Sequence, residues 1–173
     1  MGVPFRVILV PTDFSACSDG ALALAAELAR HHDARIVLLH ASDVGGGINL
    51  DTPIQPEGAR APVAMGAFVR TSAEAELAAE ARRAGIGERV DLRVEIGRPA
   101  ERIVAAAKAV AADVIVMGTH GRTGLAHLLV GSVTERVVRT ATVPVLTVRP
   151  RCGADDADHR TAAERLLEDE STG

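Results

Sequence analysis

The chain has no tryptophan, no tyrosine, only three phenylalanines (Phe5, Phe14 and Phe68) and one lysine, Lys108. Hydrophobic residues nonetheless make up 47% of it, so Ala, Val, Leu and Ile must fill the core. With so few aromatic rings, the chain lacks the stacking platforms on which single-stranded nucleic acids are usually held. A formal net charge of -4 also disfavours nucleic acid as a partner, because phosphate backbones attract basic surfaces. There are two cysteines, Cys17 and Cys152, far apart in sequence and in no CxxC motif. That spacing suggests free thiols in a reducing compartment. Long apolar runs are missing too. The opening stretch reaches Pro11 and Asp13 too soon for a signal peptide or a membrane span, so the expectation is a cytoplasmic protein with no membrane partner.

What is present is an alternation of two periodicities. Short apolar, β-branched runs at 5–10, 35–40, 90–96, 114–117 and 143–148 read as strands. Between them, 16–32, 63–84, 100–112 and 132–140 carry helical spacing, with Pro99 suited to a first helical turn. This order predicts an α/β fold: an open parallel five-stranded sheet with helices on both faces. Residues 41–62 break the rhythm with three consecutive glycines and three prolines, a long loop that is either an idle excursion or a lid. Beyond residue 150 the composition turns acidic. Residues 151–173 read as a tail with a short helix over 161–168, where Thr161 and Glu164 have capping-box spacing.

The glycines mark the chemistry. Gly118 and Gly121 follow the fourth strand, and Gly131 precedes a helix. In an open parallel sheet, ligands sit off the carboxyl ends of the strands. The amides of Ser132, Val133 and Thr134 would open that helix and attract phosphate, with two hydroxyls beside them. Ser132 and Glu135 also have capping-box spacing, which by itself accounts for the serine. Asp13 follows the first strand and could accept from a ribose or adenine edge, stand near Mg²⁺ on phosphates, or cap a turn. No GxxxxGKS or GxxxxGKT motif occurs, and no GxGxxG follows the first strand, so neither a P-loop nor a dinucleotide site is encoded. A cationic phosphate contact falls to Arg122.

Gly118-x-x-Gly121, nine residues, then Gly131-Ser132 resembles the ATP motif of the universal stress protein family, G-x2-G-x9-G-S/T. The stretch from Val7 to Ser15, the Gly97-Arg98-Pro99 segment and the run from Val143 to Val148 resemble that family's opening strand, third-helix entry and closing strand. The resemblance covers 1–150 and implies the adenine-nucleotide alpha-hydrolase-like sheet order 3-2-1-4-5. It implies ATP as ligand, with or without Mg²⁺. Pro11, Thr12 and Asp13 would lie on the adenosine side, and Ala41 and Met117 near the base. Gly118, Gly121, Arg122, Gly131, Ser132, Val133 and Thr134 would surround ribose and phosphates. It also implies a homodimer through 143–148 and a nucleotide-dependent stress-response or signalling role. A slow ATPase or phosphotransferase using Asp13 or His120, and a dimeric interaction protein indifferent to nucleotide, stand as alternatives. A phosphoacceptor receiver domain would need clustered acids after the first strand and a lysine after the fifth, and has neither here.

Overall fold

The computed structural model describes residues 4–45, 48–87, 89–119 and 130–149. Among them the order is β1 (Val7–Thr12), α1 (Ala16–His32), β2 (Arg35–Ser42), β3 (Pro53–Ile54), β4 (Val63–Ala64), α2 (Met65–Arg83), β5 (Val90–Ile96), α3 (Pro99–Ala109), β6 (Val114–Gly118), α4 (Ser132–Thr140) and β7 (Val145–Val148). The main sheet is parallel, in the order β5-β2-β1-β6-β7, which is the 3-2-1-4-5 arrangement.

Strand alternation explains why the central runs are apolar throughout. On one face Ile8, Val10, Ile36, Leu38, Val114 and Val116 pack under α1 and α2. On the other, Leu9, Val37, Leu39, Ile115 and Met117 pack under α3 and α4. Helix α1 starts at Ser15, whose hydroxyl accepts from the Ser18 amide, and ends with Arg30, His31 and His32 in its last turn, where cations suit the dipole. Pro99 takes the first turn of α3.

Four details depart from the sequence reading. The 41–62 loop carries one half of a small antiparallel pair, Pro53↔Ala64 and Ile54↔Val63, and β4 rather than α2 holds residues 63–64. Strand β1 runs through Pro11 to Thr12 instead of stopping at the proline. It pairs with β6 only at Ile8 and Leu9, so Pro11, which has no N–H to give, lies beyond that ladder. Ser132 does not cap α4: Gly131 takes the extended N-cap conformation (φ -69°, ψ 152°) with no side-chain cap. Cys17, 2% exposed, is disulfide-bonded rather than the free thiol that the sequence suggested. Cys152, the 151–173 tail and its 161–168 helix lie outside the described residues.

Candidate functional site

The sheet order reverses between β1 and β6. Past Leu9 the two strands part, β1 staying with β2 to Thr12 and β6 with β7 to Gly118. A cavity of about 270 Å³ opens there, at the carboxyl ends of the strands. Its lining includes Pro11, Thr12, Asp13, Ala41, Met117, Gly118, Gly131, Ser132, Val133 and Thr134. These are ten of the residues singled out from sequence, contributed by four separate segments. Gly121, Arg122 and His120 lie outside the described residues.

One wall is the start of α4. The Gly131 amide donates to the Thr119 carbonyl at 2.7 Å, and Thr119 in turn donates to Val148 at 2.9 Å. The first helical bond of α4 runs from the Glu135 amide to Gly131 at 2.9 Å. The amides of Ser132, Val133 and Thr134 therefore precede it, leaving them without a helical acceptor. The Thr134 hydroxyl is not available to a ligand as the sequence suggested: it donates to the Gly118 carbonyl at 2.9 Å, buried. Glu135 pairs with Arg139 at 3.4 Å rather than closing a capping box.

The opposite wall is the turn after β1. Asp13 Oδ1 accepts from the Ser15 hydroxyl at 2.7 Å and from the Ser15 amide at 3.3 Å, an Asx-type turn that fixes the carboxylate at the cavity rim. Phe14 is held at φ 64°, left-handed backbone unusual for a bulky residue. That conformation stacks its ring on His40 at 4.4 Å between centroids. His40 was not singled out from sequence. It faces Thr12 across the β1–β2 ladder, and its Nδ1 lies 2.9 Å from the Thr12 carbonyl. A carbonyl can only accept, so Nδ1 carries a proton. Ser18, Leu39, Pro99 and Ile103, likewise missed, complete the lining.

Beneath the cavity lies Glu80 of α2, 1% exposed. Its Oε1 is 2.9 Å from Thr12 Oγ1. Burial pushes its carboxyl up from 4.5 to about 7, against the lowering effect of the Thr12 bond. A sequence signal existed: Val69, Ala73 and Leu77 are buried on α2, and Glu80 continues their helical stripe.

Among the described residues no cluster of His, Cys, Asp and Glu could hold a metal ion, and no helix is long and apolar enough to cross a membrane.

Comparison with known proteins agrees with this architecture. The model of the Universal stress protein family matches residues 4–149. A universal stress protein of Thermus aquaticus, from the QAH/OAS sulfhydrylase 3' region, is 36% identical over 146 residues, covering 84% of this chain and 99% of that one. Universal stress protein MJ0577 of Methanocaldococcus jannaschii is 30% identical over 165 residues, covering 86% and 98%. The solved structure of MJ0577 superposes with a TM-score of 0.67 over 87% of this chain and 100% of that one, at 26% identity. A universal stress protein crystallised in complex with cAMP gives a TM-score of 0.59 over 85% and 98%, at 25% identity.

Proposed function

Because the chain belongs to the universal stress protein family, we propose that it binds ATP, or a closely related adenine nucleotide, in the cavity between β1 and β6, as a nucleotide-dependent stress-response or signalling module. The observation that carries this reading is the convergence of an apolar slot with a set of helix-opening amides. Pro11, Leu39, Ala41 and Met117 supply apolar surface for a base. Asp13 stands at the rim to accept from ribose hydroxyls, within reach of Mg²⁺ carried on the phosphates. The amides of Ser132, Val133 and Thr134, with the dipole of α4, face the polyphosphate. At about 270 Å³ the cavity lies at the small end for ligand pockets, so it takes the nucleoside while the phosphates extend over α4. A family relative crystallised with cAMP supports adenine as the base.

Isothermal titration with MgATP tests the proposal. Saturable heat at micromolar protein and millimolar ligand is expected, and no heat under those conditions contradicts it.

The ligand-binding unit on this reading is 1–150, with the acidic 151–173 segment as an appendage. Strand β7 lies at one edge of the sheet, and Leu146 on it is 40% exposed. An apolar edge strand with unpaired backbone groups favours pairing with a second copy across a two-fold axis. A dimer mass by light scattering that reverts to monomer in Leu146→Asp supports this, and a monomeric wild type contradicts it.

A further inference from the structure

Three oxygen–oxygen contacts run in a line beneath the cavity. Ser18 Oγ lies 2.8 Å from the Ser15 carbonyl, Thr12 Oγ1 lies 2.9 Å from Ser18 Oγ, and Glu80 Oε1 lies 2.9 Å from Thr12 Oγ1. Each contact at that distance needs a proton between its oxygens. The Ser15 carbonyl has none to give, and the two hydroxyls supply one each. The third proton must come from the carboxyl group. Once it does, the network closes without remainder. Ser18 donates to Ser15, Thr12 donates to Ser18, and Glu80 donates to Thr12. Thr12 Oγ1 also accepts from the Phe14 amide at 3.0 Å, which fills its second lone pair.

From this count we infer that Glu80 is held as a carboxylic acid in the folded protein, that its proton positions Thr12 and Ser18 in the cavity floor, and that loss of the proton weakens nucleotide binding. Two independent features agree. Glu80 Oε2 is buried without a hydrogen-bond partner, a position tolerable for the carbonyl of an acid and costly for half of a carboxylate. Burial also raises the group's pKa to about 7, close to physiological pH. The charged groups that bear on it are Asp19 of α1 and Asp13 of the loop before α1, both of which disfavour a further negative charge, and Arg83 of its own helix, which favours one. From β2, His40 contacts the Thr12 carbonyl.

When Glu80 ionises, three contacts share two protons. The Thr12 hydroxyl turns to the carboxylate, and the bond to Ser18 opens. Both residues line the cavity, so the floor loosens. Glu80 is thus a positioning residue, and by linkage a bound nucleotide must raise its affinity for the proton.

The inference rests on the proposed nucleotide site for its last step, so the test separates the two. ATP is titrated into the full chain between about pH 6 and about pH 8, in wild type and in Glu80→Gln. An amide NH₂ can donate to Thr12 at every pH, and the nucleotide's own phosphates titrate identically against both proteins. In parallel, the Glu80 carboxyl carbon is followed by NMR in the ligand-free wild type, its signal assigned by its loss in Glu80→Gln. The expected result is an affinity that falls about fivefold more in wild type than in the variant, with a midpoint matching the carboxyl titration. Parallel affinity profiles overturn the coupling. If neither protein binds ATP, the nucleotide reading fails, and the carboxyl signal decides the rest. A midpoint near neutrality keeps the buried acid, and one in the ordinary carboxylate range overturns it.

Discussion

Thr134 Oγ1 donates to the carbonyl of Gly118 at 2.9 Å, joining the first turn of α4 to the last residue of β6. This bond sets the distance between the helix whose amides open onto the cavity and the strand end that floors it. It is buried, and a carbonyl left without its partner there is not rescued by water. Thr134→Val keeps the side-chain shape and removes the donor. It should lower stability by about 1–2 kcal/mol in urea denaturation and weaken ATP binding as well. Unchanged stability would mean that the contact holds nothing in place.

Gly131 is the N-cap of α4, in extended backbone that any residue can adopt. Gly131→Val should therefore leave the fold intact while placing a branched side chain at the cavity wall, where phosphates approach. Affinity for ATP should fall at least tenfold, about 1.4 kcal/mol, by calorimetry. The ligand-free thermal midpoint should move little. Full affinity in this variant would place the phosphates elsewhere.

Glu80 makes stability depend on pH with a definite sign. Its ordinary value is 4.5 and its folded value about 7. Below 4.5 both folded and unfolded chains hold the proton, and the group costs nothing. As pH rises, the unfolded chain releases its proton first, so stability falls, and the loss is complete once pH passes the folded value. The total is on the order of 3 kcal/mol. Glu80→Gln has no proton to lose. Denaturation at about pH 5 and about pH 8 should show it more stable than wild type only at the higher pH. An identical fall in both proteins would contradict the assignment.

Asp113 works in the opposite sense at the far end of the sheet. Its Oδ2 accepts from the amides of Arg6 at 2.7 Å and Val7 at 2.9 Å, and these bonds lower its pKa. Its contribution is present above the ordinary carboxylate value and is lost as pH falls through the lowered one. Asp113→Ala should cost about 1 kcal/mol near neutrality, and the difference from wild type should shrink in acid. A constant difference across that range would assign the effect to packing instead.

The sheet order and the helices were legible because buried parallel strands and amphipathic helices write different periods into the chain, and because the Gly118 to Ser132 spacing matches a known motif. Details that depend on backbone angles were not. Whether Ser132 or Gly131 caps α4 turns on ψ at one residue, and the spacing to Glu135 fits either outcome. The extension of β1 through Pro11 follows from where β6 lets go of it, a tertiary fact. Glu80 was the largest omission. It sits among Glu74 and Glu76 in an Ala-rich helix, and its partner Thr12 is 68 residues away. Only its register with Val69, Ala73 and Leu77 distinguished it from these less buried neighbours.

The central claim is that a nucleotide's phosphates meet the free amides at the start of α4 while its nucleoside fills the cleft between β1 and β6. The direct measurement is an amide NMR titration of the full chain with ATP. Large shifts are expected at Gly131, Ser132, Val133 and Thr134 together with Thr12 and Asp13, all saturating at one ligand concentration. Shifts confined to the arginine-rimmed hollow at Arg30, Arg82 and Arg89, or none at the start of α4, would contradict it.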